Sequence, residues 1–143
     1  MTAPALVIKR KLPAPIAEVY AAWTNPDLMA KWYAPGTRRA TNIICEPVEG
    51  GRFRVVMQAD DGNSSTTSGV YKQVIPNRKL VHTWQWEGSE IESQVTIELV
   101  SVQDDLTELT LPHELLSDLE SQQQHNDGWT GCLANLETLF AVA

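Results

Sequence analysis

The stretch SDLESQQQHNDGWTGCLANLETLFAVA, running from Ser117 to Ala143, reads as one long amphipathic helix at the end of the chain. At about 100° per residue, Gln122, His125, Trp129, Cys132, Leu133, Leu136 and Phe140 fall on a single face. The C-terminal half of that face is apolar and its start is polar. Such a helix is expected to close a core with Leu133, Leu136 and Phe140, and to line something else with Gln122, His125 and Trp129. Gly128 lies on the flank of the same face, where a missing side chain permits close approach to a sheet or a ligand, although helical glycine costs about 1 kcal/mol relative to alanine. Ser117-Asp118-Leu119-Glu120 has the form of a capping box and sets the expected start.

Upstream of this helix the period of the hydrophobic pattern is two. Strands are expected near 39–46, 51–59, 66–75, 79–87, 90–101 and 106–113, separated by turn chemistry such as Glu49-Gly50-Gly51, Asp60-Asp61-Gly62-Asn63 and Ile75-Pro76-Asn77. Short links favour an antiparallel meander. The clearest alternation sets Ile91, Ser93, Val95, Ile97 and Leu99 against Glu92, Gln94, Thr96 and Glu98, one face buried and one wet. Pro112 is expected to disrupt the last ladder or to mark an edge. Before these strands, Leu6-Val7-Ile8-Lys9-Arg10 looks like an edge strand. Ile16, Val19, Tyr20 and Trp23 then follow at helical spacing, and Asn25-Pro26 starts a second short helix carrying Leu28, Met29 and Trp32. The class is therefore α+β: a curved antiparallel sheet of about seven strands wrapped around the terminal helix, with two short helices after the first strand.

A chain of 143 residues with 43% hydrophobic content supports one domain with a real core, 1–143. The net charge of −7 argues against nucleic acid or an anionic membrane as partner, since both reward lysine and arginine. Lys9-Arg10-Lys11 and Arg38-Arg39 read as solvated clusters. The first residues lack the apolar run of a signal peptide, and no stretch has the length of a membrane-spanning helix. Two cysteines, Cys45 and Cys132, are too few for a disulfide framework and read as free, buried thiols of a cytoplasmic protein.

Five segments in order carry a family resemblance. They are Trp23-Thr24-Asn25-Pro26, Lys31-Trp32-Tyr33-Ala34-Pro35-Gly36, Glu49-Gly50-Gly51-Arg52-Phe53-Arg54, Leu80-Val81-His82-Thr83-Trp84-Gln85-Trp86 and His125-Asn126-Asp127-Gly128-Trp129. Together they resemble the START-like (SRPBCC) helix-grip proteins related to the C-terminal domain of the heat-shock chaperone ATPase activator. That resemblance implies a cavity between the sheet and the C-terminal helix. It also spans binders of hydrophobic small molecules, cyclase relatives and chaperone regulators, so the fold alone does not choose a function. Val48 stands where members often carry a basic residue, and a role for that charge is not carried over. The separate N-terminal domain of the chaperone activators is not in these residues, which argues against a chaperone role.

All three histidines fall on core-facing positions: His82 and His113 by period two, His125 by the helical wheel. Plain hydrogen-bonded core histidines are one reading, cavity lining another, and a catalytic base a third. Large aromatic rings beside histidines and Ser93 compose a pocket that is mostly apolar with a few polar anchors. The residues expected to line a ligand site are Phe53, Met57, Tyr71, His82, Trp84, Ser93, His113, His125 and Trp129. No two metal ligands have a spacing that a helix or hairpin would bring together, and no cofactor fingerprint is present, so neither metal nor cofactor is expected. Cys132 is too far along the helix from His125 to pair with it, roughly 10 Å. Three functions follow as expectations: binding of a hydrophobic or aromatic small molecule, a cyclase- or hydrolase-like enzyme using His113 or His125 as base, or a protein-interaction module. Either a monomer or a homodimer fits, the latter through the first, edge strand.

Overall fold

Seven strands form one antiparallel sheet in the order β1-β7-β6-β5-β4-β3-β2 in the computed structural model, which describes residues 6–34, 38–90, 92–114 and 119–141. In chain order these are β1 (Leu6–Leu12), α1 (Ile16–Thr24), α2 (Pro26–Met29), β2 (Arg39–Cys45), β3 (Arg52–Gln58), β4 (Ser64–Ile75), β5 (Lys79–Trp86), β6 (Ser93–Gln103), β7 (Leu106–Glu114) and α3 (Leu119–Ala141). From β2 to β7 each strand pairs with the next in sequence, as short turns require, and β1 closes onto β7. β1 is thus the expected edge. The sheet curves around α3, the helix-grip arrangement.

The core lies between the concave face and α3. Trp129, Cys132, Leu133 and Leu136 of α3 are buried together with Val55, Leu80, Val95, Ile97, Leu109 and Leu111 from the strands. Each buried leucine contributes about 1.5–3 kcal/mol, so the apolar half of α3 anchors the helix. Phe140 is only half-buried, because it lies near the helix end, where it packs on the core from outside. Asn135 Nδ2 donates to the Ala34 carbonyl at 2.8 Å and ties α3 to the turn after α2. That turn is itself fixed: Asn25 caps α2 through Asp27 N–H at 2.9 Å, and the Trp32 indole N–H donates to the Ala22 carbonyl at 2.9 Å.

Several expectations are corrected. Pro112 disrupts the β6–β7 ladder, one of its two expected effects, but does not mark an edge; β7 lies between β1 and β6, with Val7 opposite Pro112. Pairing lapses between Val95–His113 and Glu98–Thr110 with the same register on either side, so the missing N–H interrupts the ladder without ending the strand. β4 begins at Ser64, two residues early, because Gln58 and Met57 extend the β3 hairpin onto Ser64 and Ser65. β6 runs from Ser93 to Gln103, and its outer face is not wholly wet, since Thr96 is buried. Cys45 is half-buried rather than buried. The capping-box residues Ser117 and Asp118, together with Ile91, Pro35, Gly36 and the Gln122 side chain, lie outside the described residues. Gly69 is a position the sequence did not mark: a Cβ there would run into the Thr83 carbonyl where β4 crosses β5. No helix among the described residues is long and apolar enough to cross a membrane.

Candidate functional site

Strand register brings the polar side chains together. Val95 of β6 lies opposite both His82 of β5 and His113 of β7, and Ser93 lies opposite Trp84. Period two aims all of these at the concave face, where α3 presents His125, Trp129 and Cys132 at spacings of four and three. A single chain of hydrogen bonds results. The Trp129 indole N–H donates to His113 Nδ1 at 3.1 Å; His113 Nε2 lies 2.7 Å from Ser93 Oγ; Ser93 Oγ donates to the Trp84 carbonyl at 2.9 Å. An indole can only donate and a carbonyl can only accept, so every role in between is forced. His113 is a neutral ring with its proton on Nε2, directed at Ser93.

Burial enforces the same state. His113 has no exposed surface, and its pKa is pushed down to about 2, first by desolvation and then by the neighbouring His125 and His82. His82 is also buried; its Nδ1–H donates to the Thr83 carbonyl at 2.8 Å, its ring stacks on Phe53 with centroids 4.4 Å apart, and burial lowers its pKa to about 4. Both are core histidines, His113 bonded at both ring nitrogens and His82 at Nδ1. His113 therefore cannot serve as the general base entertained from sequence, since its one lone pair is held by Trp129.

His125 is different. It is half-buried, and its ring nitrogens have no hydrogen-bond partner among the described residues. Its ring packs edge-on to His113 at 4.5 Å and lies nearly parallel to Trp86 at 6.4 Å. Burial lowers its pKa. It opens onto a cavity of about 300 Å³ between the sheet and the first half of α3. Trp84, Trp86, Met57 and Trp129 form the apolar walls. Gln124, Gly128 and Cys132 complete the helix side, and Arg38 stands at the approach to β2. A Cβ on Gly128 would meet nothing within 4 Å, so that glycine opens space rather than allowing the protein to close in. The Cys132 thiol is pushed up to about 12 by burial, which leaves it a neutral wall group. Larger hollows of about 500 and 560 Å³ elsewhere on the surface are lined by no aromatic ring and no histidine.

Of the residues named from sequence, Met57, Trp84, His125 and Trp129 line this cavity, whereas Phe53, Tyr71, His82, Ser93 and His113 lie behind it in the packed aromatic interior. There Tyr71 Oη contacts Cys45 Sγ at 3.2 Å, and burial raises its phenol pKa. Trp84 joins the two layers, with its ring 5.2 Å from Trp129 and 5.7 Å from His113. Its indole N–H, the Trp23 indole N–H and the Tyr33 hydroxyl are buried with no partner among the described residues. Neighbouring rings supply only the weaker π-face contact, as where Trp23 meets Trp32 edge-on at 4.5 Å. Trp86, Gln124 and Arg38 were not named as site residues. Trp86 shares the alternation of Trp84, and Gln124 precedes the flank glycine Gly128 by one helical turn; both were within reach of the sequence. Arg38 lies outside any periodic element and was read only as part of a solvated Arg38-Arg39 cluster, whereas it lines the cavity.

Comparison with known proteins agrees with this architecture. Residues 13–141 match the family described as "Activator of Hsp90 ATPase homolog 1-like protein", AHSA1. The AHSA1 protein of Silicibacter pomeroyi has a TM-score of 0.88 at 22% identity, covering 97% of this chain and 99% of its own. A protein of Nitrosomonas europaea has a TM-score of 0.82 at 25% identity over 94% of this chain and 92% of its own. DynU16, from the dynemicin biosynthetic locus, has a TM-score of 0.79 at 22% identity; 96% of this chain covers 47% of it. No curated protein matches the chain. With its helix-grip fold and a family match running over nearly all of its length, the chain belongs to the AHSA1 family within the START-like superfamily.

Proposed function

We propose that this domain binds a hydrophobic or aromatic small molecule in the cavity between the sheet and α3. The observation that carries the reading is the composition of the cavity: three tryptophans and a methionine form the walls, while neither His125 ring nitrogen has a partner among the described residues. Sites for small molecules combine these two features, apolar walls and a few polar groups free to fix orientation. A volume of about 300 Å³ is at the lower end of such sites and suits a small, flat ligand. The partner is then a small molecule rather than nucleic acid or an anionic membrane, in keeping with the net charge of −7. Two free cysteines suit a reducing, cytoplasmic setting. β1 leaves one sheet edge open, so monomer and homodimer both accord with binding.

One observation favours a second reading, a cyclase- or hydrolase-like enzyme. His125 is the single histidine able to take a proton from a bound molecule. Binding is preferred because no described side chain hydrogen-bonds the His125 ring to orient it, and Cys132 remains a thiol. A protein-interaction module would need an exposed apolar patch outside the cavity, which binding in the cavity does not require.

Gly128 gives the test. Gly128→Ala is expected to raise stability by about 0.5–1 kcal/mol, because its Cβ meets open space on a helix. Gly128→Phe is expected to fill the cavity and weaken uptake of aromatic ligands by about tenfold or more, read from tryptophan emission. Equal ligand response in the wild type and the folded Phe variant would contradict the proposal.

A further inference from the structure

The charge around the cavity is the reverse of the charge on the whole chain. The protein has 18 acidic residues and a net charge of −7, yet among the described residues no carboxylate lines this cavity, and one arginine does. Arg10, Arg52 and Arg54 have acidic partners in Glu137, Glu46 and Glu87. Arg38 has none among the described residues, although its guanidinium offers five N–H groups in a planar fork that matches a carboxylate. Two further donors without a partner among the described residues share the lining, the Gln124 amide and the neutral His125 ring. The same lining holds flat apolar surfaces, Trp86, which lies nearly parallel to the His125 ring, and Trp129. Donors without acceptors and stacking faces in one lining fit a ligand that is aromatic at one end and anionic at the other.

We infer that the cavity takes a small aromatic carboxylate, its ring among Trp86, Trp129 and Met57 and its carboxylate paired with Arg38 beside Gln124 and His125. This rests on the binding reading above and adds the sign of the ligand. A neutral aromatic of the same shape fills the same walls but leaves the Arg38 fork without an ionic acceptor, so the acid binds more tightly.

The test compares 2-naphthoate with 2-naphthamide, which differ in charge and hardly in shape, by tryptophan emission and calorimetry at about pH 7.5. The acid is expected to bind about tenfold or more tightly than the amide, and Arg38→Gln is expected to remove that advantage while leaving the amide unchanged. Arg38→Lys should keep part of it, since charge is retained and the fork is lost. Equal affinities for acid and amide, or an acid preference that survives Arg38→Gln, would overturn the anionic inference and leave the binding proposal standing. Failure of both compounds and of a wider panel of uncharged aromatics would overturn both.

Discussion

Lowering the pH from about 7.5 to about 4.5 is expected to remove about 5 kcal/mol of folding stability, most of it through His113 and His82. Both are buried as neutral rings, with pKa values of about 2 and about 4 in the folded protein. In the unfolded chain a histidine titrates near 6.5. Below that value the unfolded state takes up protons that the folded state refuses, so stability falls with pH. The contribution is fully present above about pH 6.5 and is lost as pH falls toward each folded value. Two pH units of unmatched protonation cost roughly 2–3 kcal/mol per histidine. His125, also lowered, acts in the same direction. Denaturant titrations across this range should show the loss with a slope near two protons at about pH 5. Flat stability down to pH 4.5 would mean that the histidines are not buried neutral.

Replacing His113 by alanine has the other large effect, a loss of about 3–5 kcal/mol. The side chain is completely buried, so a cavity is left at the centre of the aromatic interior. The Trp129 N–H loses its acceptor and the Ser93 hydroxyl loses one of its two partners, keeping the Trp84 carbonyl, and an orphaned buried polar group costs about 1–3 kcal/mol. His113→Gln should recover part of the loss, because its amide can accept from Trp129 and donate to Ser93. Alanine should also lower the acid slope by about one proton, linking this measurement to the first. Chemical denaturation of the three proteins checks both points, and a cost below about 1 kcal/mol would contradict the hydrogen-bond chain.

Which of these features were legible in the sequence depends on how local their cause is. Period two placed His82, Trp84 and His113 on the inner face, and the helical wheel did the same for His125, Trp129 and Leu133; these are consequences of one element's geometry. The hydrogen-bond chain from Trp129 to Trp84 was not legible. It depends on Ser93 lying opposite Trp84 and on Val95 lying opposite His113, a register set by two separate turns. Pro112 was legible in part: the proline interrupts its ladder with β6 as expected, while β1 on its other side keeps the strand from being an edge. The division between wall and interior was also hidden. Phe53, Tyr71 and His82 share the inward alternation with Met57 and Trp84, and only the position of α3 over the sheet decides which of them meets open space. Arg38 lies in a connection, where periodicity carries no information.

The binding site itself is most directly tested by the five indole N–H resonances in a nitrogen–proton correlation spectrum during titration with 2-naphthoate. The expected result is that Trp84, Trp86 and Trp129, which line the cavity, shift together with the His125 ring, while Trp23 and Trp32 at α1 and α2 move least. Saturating ligand with no movement of the three wall tryptophans, or with the largest shifts at Trp23 and Trp32, would contradict a site between the sheet and α3.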